Sequence, residues 1–308
     1  MEALLDLSFD NITSNDVAKI RKGLRQIEGL LAQICLSKTS DVRQKPLKAL
    51  HHDPAFREFF RLQEGFEWNV ATRLTACLEH LLGMRSSRYH RTHNQGPLAN
   101  SGTPTPDSQN NILVVAALDL LQGILLLHPP SRSIFKQEIY MTLLLDLLDY
   151  QECSKVQSRT LLVLVTALLS HPPNTRTFEK AGGLQNITSL FKARGTPNAL
   201  KLKIMEFLYF YLMPEAPPND VASPTNVKAP RKTASGEHPP RRSSNDAQPQ
   251  PHPHPSTGGP TRSTEEKQRL LGQYLSNVQD LVQDLRENAP FIGAGGGGAS
   301  SDSVAAAA

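Results

Sequence analysis

The apolar positions in the middle of the chain repeat with a long period. The sequence contains LLLHPPSRSIF and, 43 residues later, LLSHPPNTRTF, so that His128 aligns with His171 and Phe135 with Phe178. A self-similar period of roughly 40–47 residues is typical of armadillo and HEAT repeats, in which stacked helical units share one core. The pattern therefore predicts an all-α fold, an armadillo/HEAT-like helical solenoid.

Each predicted unit begins with a helix that is apolar on most of its faces, as a helix buried between neighbours requires. These helices cover 112–127, 155–170 and 199–212, and pairs of prolines stop the first two. Shorter helices follow, and Gly182 and Gly183 are predicted to allow a sharp bend and a close helix contact. The aligned apolar columns are Leu118, Leu161 and Ile204; Leu121, Leu164 and Phe207; Ile124, Ala167 and Phe210; and Leu125, Leu168 and Tyr211.

The N-terminal part follows the same scheme less regularly, so that the predicted solenoid spans 1–213. A helix over 67–83 takes the role of a third repeat helix, and helix 17–36 is predicted as the N-terminal cap because terminal repeats are often irregular. The polar segment 84–111 is predicted as a flexible surface insertion. The apolar face of the cap helix consists of Ile20, Leu24, Ile27, Leu31 and Ile34.

The composition changes sharply after the third repeat helix. Residues 214–262 contain 12 of the 23 prolines and no Leu, Ile, Phe, Tyr, Trp or Met. Such a segment cannot offset its conformational entropy by burial, so it is predicted to be a disordered, Pro-rich basic linker. The segment 292–308 is a low-complexity tail to which no mechanism is assigned.

The segment 263–291 is predicted to form one C-terminal amphipathic helix. Ser263 and Glu266 have the spacing of a capping box at its start. Apolar residues that recur every three or four positions form a stripe of the width used for docking in a groove. Two interpretations remain open, packing on the chain's own solenoid and docking onto another protein. The stripe consists of Leu271, Tyr274, Val278, Leu281 and Leu285.

The sequence lacks the motifs of common catalytic and metal sites. It contains no GxxxxGK[ST], HExxH or CxxC, and its one GxGxxG match, GAGGGG at 293–298, lies in the low-complexity tail, so we predict no catalytic, cofactor-binding or metal-binding residue and no small-molecule substrate. Cys153 and Arg159 have the Cys-x5-Arg spacing of a tyrosine-phosphatase loop, but Val156 replaces the glycine that lets backbone amides converge on a phosphate. His128 and His171 are predicted to bond backbone carbonyls at their turns rather than a metal.

Charge and cysteine content favour a cytoplasmic location. The formal net charge of +4 is modest, which makes nucleic acid an unlikely partner. Three cysteines without a close pair argue against a disulfide framework and for a reducing compartment. The N-terminus has no signal-peptide pattern, and no run of 18 uninterrupted apolar residues predicts a membrane span.

Five positions in the two polar segments resemble protein-kinase targets. Three of them precede a proline, and two follow basic clusters (RKTAS and RRSS). Each phosphate would add about −1.5 to −2 charge. The candidate phosphosites are Thr103, Thr105, Ser223, Ser235 and Ser244.

Three stretches together resemble one family. They are NTRTFEKAGGLQNITSLFK, KLKIMEFLYFYLMPE and KQRLLGQYLSNVQDLVQDLRENAPF. They are similar to the fungal cell division control protein 14 family, the component of the septation initiation network (SIN) and not the phosphatase of the same name. The resemblance implies a non-catalytic adaptor that binds a germinal-centre-class protein kinase. It would act at the spindle pole body to control septum formation and cytokinesis.

An alternative function remains open beside this resemblance. A helical solenoid with a basic linker would also suit an adaptor in nuclear transport or in a nucleic-acid-associated assembly. Measuring partner binding at several salt concentrations distinguishes the two functions, because nucleic-acid binding weakens steeply as the salt concentration rises.

Overall fold

The computed structural model describes residues 1–36, 50–92, 106–150, 153–215 and 261–288. These residues form α-helices and one 3-10 helix, with no β-strand among them, so the predicted all-α fold is confirmed. The elements in chain order are α1 (Glu2–Ile12), α2 (Val17–Leu36), α3 (Pro54–Glu64), α4 (Val70–Thr92), α5 (Pro106–Leu127), the 3-10 helix (Pro129–Lys136), α6 (Glu138–Leu148), α7 (Ser154–Leu168), α8 (Pro172–Lys180), α9 (Gly183–Lys192), α10 (Asn198–Leu212), α11 (Thr264–Leu271) and α12 (Val278–Asn288).

The 43-residue pattern corresponds to a recurring unit of a long helix, a short helix and a third helix. One unit is α5, the 3-10 helix and α6, the next is α7, α8 and α9, and α10 begins a third. The aligned columns are buried throughout, except for Phe210, which is half-buried against the core. Phe135 and Phe178 are both fully buried. Residues that align in the repeated sequence are therefore buried at equivalent positions in each unit.

The long helices form one row, in which α4 packs on α5, α5 on α7 and α7 on α10. Beside this row, α6 packs on α7 and α9, and α9 also contacts α10. Buried apolar side chains from all these helices form one continuous cluster. Each long helix is covered on two sides, which explains why its apolar residues are not confined to one stripe.

Polar side chains join the units at the proline turns. The Asn174 amide donates to the carbonyls of Ala167 and Arg132, each at 2.7 Å. The Arg132 guanidinium donates to the carbonyls of Leu125 and Leu169, each at 3.0 Å. Because the last carbonyls of a helix lack partners within it, these bonds satisfy helix ends and connect successive units.

The glycine pair between α8 and α9 has the predicted role. Gly182 has φ +79°, a left-handed conformation that side chains disfavour. A Cβ on Gly183 would lie 2.1 Å from the ring of Phe178. The bend thus depends on the left-handed conformation of Gly182, and the close helix contact depends on the missing side chain of Gly183.

The N-terminal region contains a helix that the repeat pattern did not reveal. The apolar face predicted for α2 is buried, and α1 packs against this helix as an additional cap. The two helices cross closely at Gly23, where a Cβ would lie 2.7 Å from the Ile12 side chain. The helix α1 buries Leu5, Phe9 and Ile12.

The predicted insertion over 84–111 is too long. The helix α4 continues to Thr92 and α5 begins at Pro106, so both ends of that segment are helical. The polar sequence does not prevent this, because a helix is formed by backbone hydrogen bonds and polar residues are compatible with it. Residues 93–105, which include Thr103 and Thr105, lie outside the described residues.

The predicted bond from His128 to a backbone carbonyl is wrong, whereas at His171 a backbone hydrogen bond opposes the lowering of its pKa. The His128 Nδ1 lies 2.8 Å from the Ser131 hydroxyl, and the imidazole ring stands edge-on to Phe60 with 4.4 Å between centroids. Among the described residues, His128 Nε2 and His171 Nδ1 have no hydrogen-bond partner. Burial lowers the pKa of His128 to about 4 and is also the main cause of a lowered pKa at His171. Both imidazoles are therefore neutral packing groups.

One helix meets the length and hydropathy criteria for a membrane span, although none was predicted. The segment Ser108–Leu127 has a mean hydropathy of 1.8. The helix α5 packs against α2, α4 and α7, and Leu118 and Leu121 are fully buried. A position in the middle of the row accounts for this apolar composition.

We expect Gly183→Ala to destabilise the fold by about 1–3 kcal/mol, because the new methyl group overlaps the buried ring of Phe178. Gly29→Ala in α2 is the matched control, since nothing lies within 4 Å of its Cβ position. It should stabilise the protein by up to about 1 kcal/mol through helix propensity. Urea unfolding measures both effects, and a neutral Gly183→Ala would contradict the close contact.

We expect stability to fall as the pH drops from 6.5 towards 4. The unfolded state binds a proton with the ordinary histidine pKa of 6.5, whereas the pKa of folded His128 is about 4. Only the unfolded state gains that proton between pH 6.5 and 4, so the free energy of unfolding falls by up to about 3 kcal/mol. His128→Gln should make the unfolding free energy less pH-dependent between these values. An equal pH dependence of the unfolding free energy in the wild type and in His128→Gln would contradict a lowered pKa at His128.

Candidate protein-interaction site

The C-terminal segment forms two helices, so the predicted single helix over 263–291 is wrong. The helix α11 ends at Leu271, and α12 begins at Val278. The predicted capping box is present, because the Ser263 hydroxyl accepts from the Glu266 amide at 3.3 Å and the Ser263 amide donates to the Glu266 carboxylate at 3.0 Å. The apolar spacing continues across the break, which is why the sequence alone suggested one helix.

The structure places the predicted docking stripe against the chain's own stack. Leu271 is fully buried, Val278 and Leu281 are buried, and Tyr274 is half-buried against the core. The side chain of Leu285 lies outside the described ones. Both α11 and α12 contact α10, so they continue the row and cover its last helix. This packing leaves the described stripe residues unavailable as an open docking surface.

The two ends of the predicted linker are joined to the folded unit. The Glu215 amide donates to the Arg262 carbonyl at 3.1 Å, and the Arg262 amide donates to the Glu215 carboxylate at 3.0 Å. The predicted linker bounds, 214–262, are therefore too wide. Residues 216–260, with Ser223, Ser235 and Ser244, lie outside the described residues.

A cluster of buried charges surrounds this junction, and we call it the C-terminal clamp. The Glu179 carboxylate accepts from Arg176 at 2.6 Å, from the Tyr211 hydroxyl at 2.8 Å and from Arg262. It consequently joins α8, α10 and the start of the C-terminal segment. The members of the clamp are Arg176, Glu179, Tyr211, Glu215, Arg262 and Lys267.

Lys267 anchors α11 to this clamp. Its side chain is 6% exposed, and its ammonium group donates to the Met213 carbonyl at 2.9 Å and lies 3.4 Å from Glu215. Burial lowers the pKa of Lys267, while Glu215 opposes this shift. Burial and the nearby Glu179 raise the pKa of Tyr211, which keeps its hydroxyl protonated as a donor. The clamp is therefore a closed charge network and a structural feature.

The outer surface has a groove between α4 and α6, which we call the α4–α6 groove. Its floor and walls are apolar and include Ile139, which is 64% exposed. Its charged lining residues are all acidic: Glu79, Glu138 and Asp146. The remaining lining residues are Leu82, Gly83, Tyr140, Thr142 and Leu143.

The carboxylates of the α4–α6 groove are only partly compensated. Glu138 forms an exposed ion pair with Lys180 at 2.9 Å, with the lysine coming from α8. Burial and the neighbouring Asp149 raise the pKa of Asp146. A negatively charged groove with an exposed isoleucine can bind a ligand that is both basic and apolar.

A second groove, between α2 and α5, has no such charge selectivity. Its lining combines Arg21 and Arg25 with Glu28 and Asp119, and Asp119 pairs with Arg159 at 3.1 Å. Charges of both signs along one groove reduce the net attraction for a basic or an acidic ligand.

The Cys153 pattern lies in a helix and not in a phosphate-binding loop. Cys153 directly precedes α7, where its carbonyl accepts from the amides of Val156 and Gln157. Val156 is fully buried, and Arg159 is directed to Asp119 on α5. The amides here are used by the helix itself. Within the described ranges, no group of three or more His, Cys, Asp or Glu side chains could hold a metal ion.

The α4–α6 groove and the clamp were not found from the sequence, and only the groove had a weak signal. Glu138, Ile139 and Asp146 are polar or exposed positions within an otherwise leucine-rich helix, so the hydrophobic pattern assigned α6 to the core alone. Glu179 belongs to a stretch that is common in helical repeats, and nothing in it indicates a partner 83 residues away.

These features define a stacked, all-helical protein with a capped end and an exposed acidic groove. The family model described as "Cell division control protein 14, SIN component" matches residues 1–291, and the chain belongs to this family. The match includes the helical stack and both C-terminal helices. The family's description supports a role in cell division and septation and is that of the SIN component, not of a phosphatase.

One curated relative supports this assignment. The chain is 28% identical to "Cell division control protein 14" of Schizosaccharomyces pombe, over 94% of this chain and 97% of that protein. No solved structure matches this chain.

We expect Glu179→Gln to destabilise the protein by about 1–3 kcal/mol, because it removes the carboxylate that two half-buried guanidinium groups share. Glu138→Gln is the matched control and should cost less than about 1 kcal/mol, since its ion pair is exposed. Urea unfolding gives both values. Hydrogen exchange should become faster in α11 and α12 in Glu179→Gln alone. Equal costs for the two variants would contradict the role of the clamp.

Proposed function

We propose that this protein is a non-catalytic adaptor that binds a germinal-centre-class protein kinase in the septation initiation network. In this role it controls septum formation and cytokinesis, in the cytoplasm and at the spindle pole body. The observation that carries the proposal is the family match over residues 1–291, which includes the complete described stack. Membership in the SIN component family supports a role in septation. The kinase partner is an addition made by this proposal.

The surface of the described residues supports an adaptor. A groove that combines an exposed isoleucine with three carboxylates is suited to a protein segment that is both apolar and basic. The helical stack is covered at its end by α11 and α12, so the apolar residues of its last helix are buried and its grooves remain as binding surfaces. The segment that contains Cys153 is used for packing, which agrees with a role in binding rather than phosphate chemistry.

Phosphorylation is a further part of the proposal. Ser223, Ser235 and Ser244 are in the segment between the two ends joined by the clamp, and Thr103 and Thr105 are in the segment between α4 and α5. All five lie outside the described residues, and their modification stays a prediction. Added phosphate charge would weaken or strengthen contacts with basic partners according to position.

The alternative in nuclear transport or nucleic-acid assembly depends on basic residues between 216 and 260. The α4–α6 groove would repel a phosphate backbone, because its charged lining residues are acidic. The adaptor for a kinase is therefore the better supported of the two functions.

The test is affinity purification of the tagged full-length chain from dividing fungal cells, followed by mass spectrometry. We expect a germinal-centre-class kinase to be recovered, and to remain bound in 200 mM salt and after nuclease treatment. Nucleic-acid binding would instead fall by about 10³-fold or more between 50 and 200 mM salt. The full-length chain is needed because truncation after residue 262 removes α11 and α12 and exposes α10.

Leu208→Asp is the control for this purification. Leu208 is fully buried in α10, so a charged residue there should unfold the stack and abolish specific capture. Failure to recover a kinase with the folded wild-type chain, or recovery that nuclease abolishes, would refute the proposed function.

A further inference from the structure

We infer that the α4–α6 groove binds a basic amphipathic helix of the protein partner. This inference rests on the proposed adaptor function and names the surface that performs it. Three properties of the groove carry it: its apolar ridges, its acidic rim and its length.

The apolar part of the groove has the spacing that a helix needs. On α6, Ile139, Leu143 and Asp146 are separated by four and three residues and therefore share one face. On α4, Leu82 and Gly83 follow Glu79 by three and four residues, so these three residues form the opposite side. A partner helix with apolar anchors at i, i+3 or i+4 and i+7 can insert between two such ridges.

Gly83 leaves room for the partner. A Cβ at this position would meet nothing within 4 Å, so the space above the glycine is open. The absence of a side chain lets a partner helix approach the α4 backbone closely. A larger residue here would fill the groove without disturbing the fold of the chain itself.

The charge of the groove selects the partner. Glu79, Glu138 and Asp146 lie along the apolar ridges, and none of the lining residues is basic. A helix with lysine or arginine beside its apolar stripe would gain attraction from these carboxylates, whereas an acidic helix would be repelled. Lys180 pairs with Glu138 from the neighbouring α8 and is 76% exposed, so a partner cation can replace it.

The length of the groove limits the size of the bound segment. The lining residues of α6 extend from Glu138 to Asp146, which is a rise of about 12 Å along a helix. This distance accommodates about two to three turns of a partner helix. The partner element is therefore a short helical segment and not a whole domain face.

The direct test measures binding of a fluorescein-labelled synthetic peptide to the full chain by anisotropy. The probe is a helix of about five turns with leucine at i, i+4, i+7 and i+11 and lysine elsewhere. Comparison peptides are a scrambled version of the same composition and a version with glutamate in place of lysine. We expect the probe alone to bind, with an affinity that decreases as salt is added.

Three variants of the chain locate the binding. Glu79→Lys with Asp146→Lys should weaken binding by at least about tenfold by reversing the charge of the groove. Gly83→Leu should block the groove sterically, and Ile139→Ser should remove its exposed anchor without changing the charge of the groove. All four positions are exposed, so melting temperatures should stay close to that of the wild type.

The matched control is Asp6→Lys with Asp10→Lys on α1, which makes the same change in net charge at exposed positions. It should leave the peptide affinity within about twofold of the wild type, because salt screens the interaction between the peptide and charges that lie far from the groove. Equal loss in this control and in the groove variants would overturn the inference, because attraction would then be unspecific.

The same variants in the kinase purification separate the inference from the proposed function. Loss of both peptide and kinase from the groove variants alone supports both. A kinase that is recovered equally with all variants upholds the proposed function and overturns the groove as its site. Groove-specific peptide binding without any kinase supports the groove and refutes the kinase partner.

Discussion

The fold depends on the requirement that every long helix in the row be covered on both sides. The helices α5, α7 and α10 are apolar on most faces because each is packed between neighbours. A row of this kind is stable only if its ends are covered, and here both are. At the start, α1 and α2 cover the first units. At the end, α11 and α12 bury Leu271, Val278 and Leu281 against α10.

The C-terminal clamp gives the apolar cover its position. Hydrophobic burial is not directional, whereas the bonds of Glu179 to Arg176 and Arg262 exist in one geometry only. Burying such charges is costly, so the network contributes mainly by excluding other arrangements of the C-terminal segment. It also brings Glu215 and Arg262 together, with 216–260 between them.

A closed and rigid stack leaves its outer surface free for recognition. The α4–α6 groove combines an exposed isoleucine with carboxylates, while the neighbouring α2–α5 groove combines charges of both signs. Membership in the SIN component family gives this surface a setting in cell division. Under the proposed adaptor function, the specificity of the protein follows from the shape and charge of its grooves rather than from a reactive side chain.

The sequence by itself determined the helical class, the 43-residue unit and the glycine bend, because these follow from local periodicity and backbone sterics. The proline pairs follow the ends of α5 and α7, and Gly182 before α9 adopts the left-handed conformation that the bend needs. The break between α11 and α12 and the side that their apolar stripe covers were decided only by the tertiary structure. The same holds for the clamp, whose Glu179 and Arg262 are far apart in sequence. Long-range contacts of charged residues leave no periodic signal, since their partners are chosen by how the helices pack.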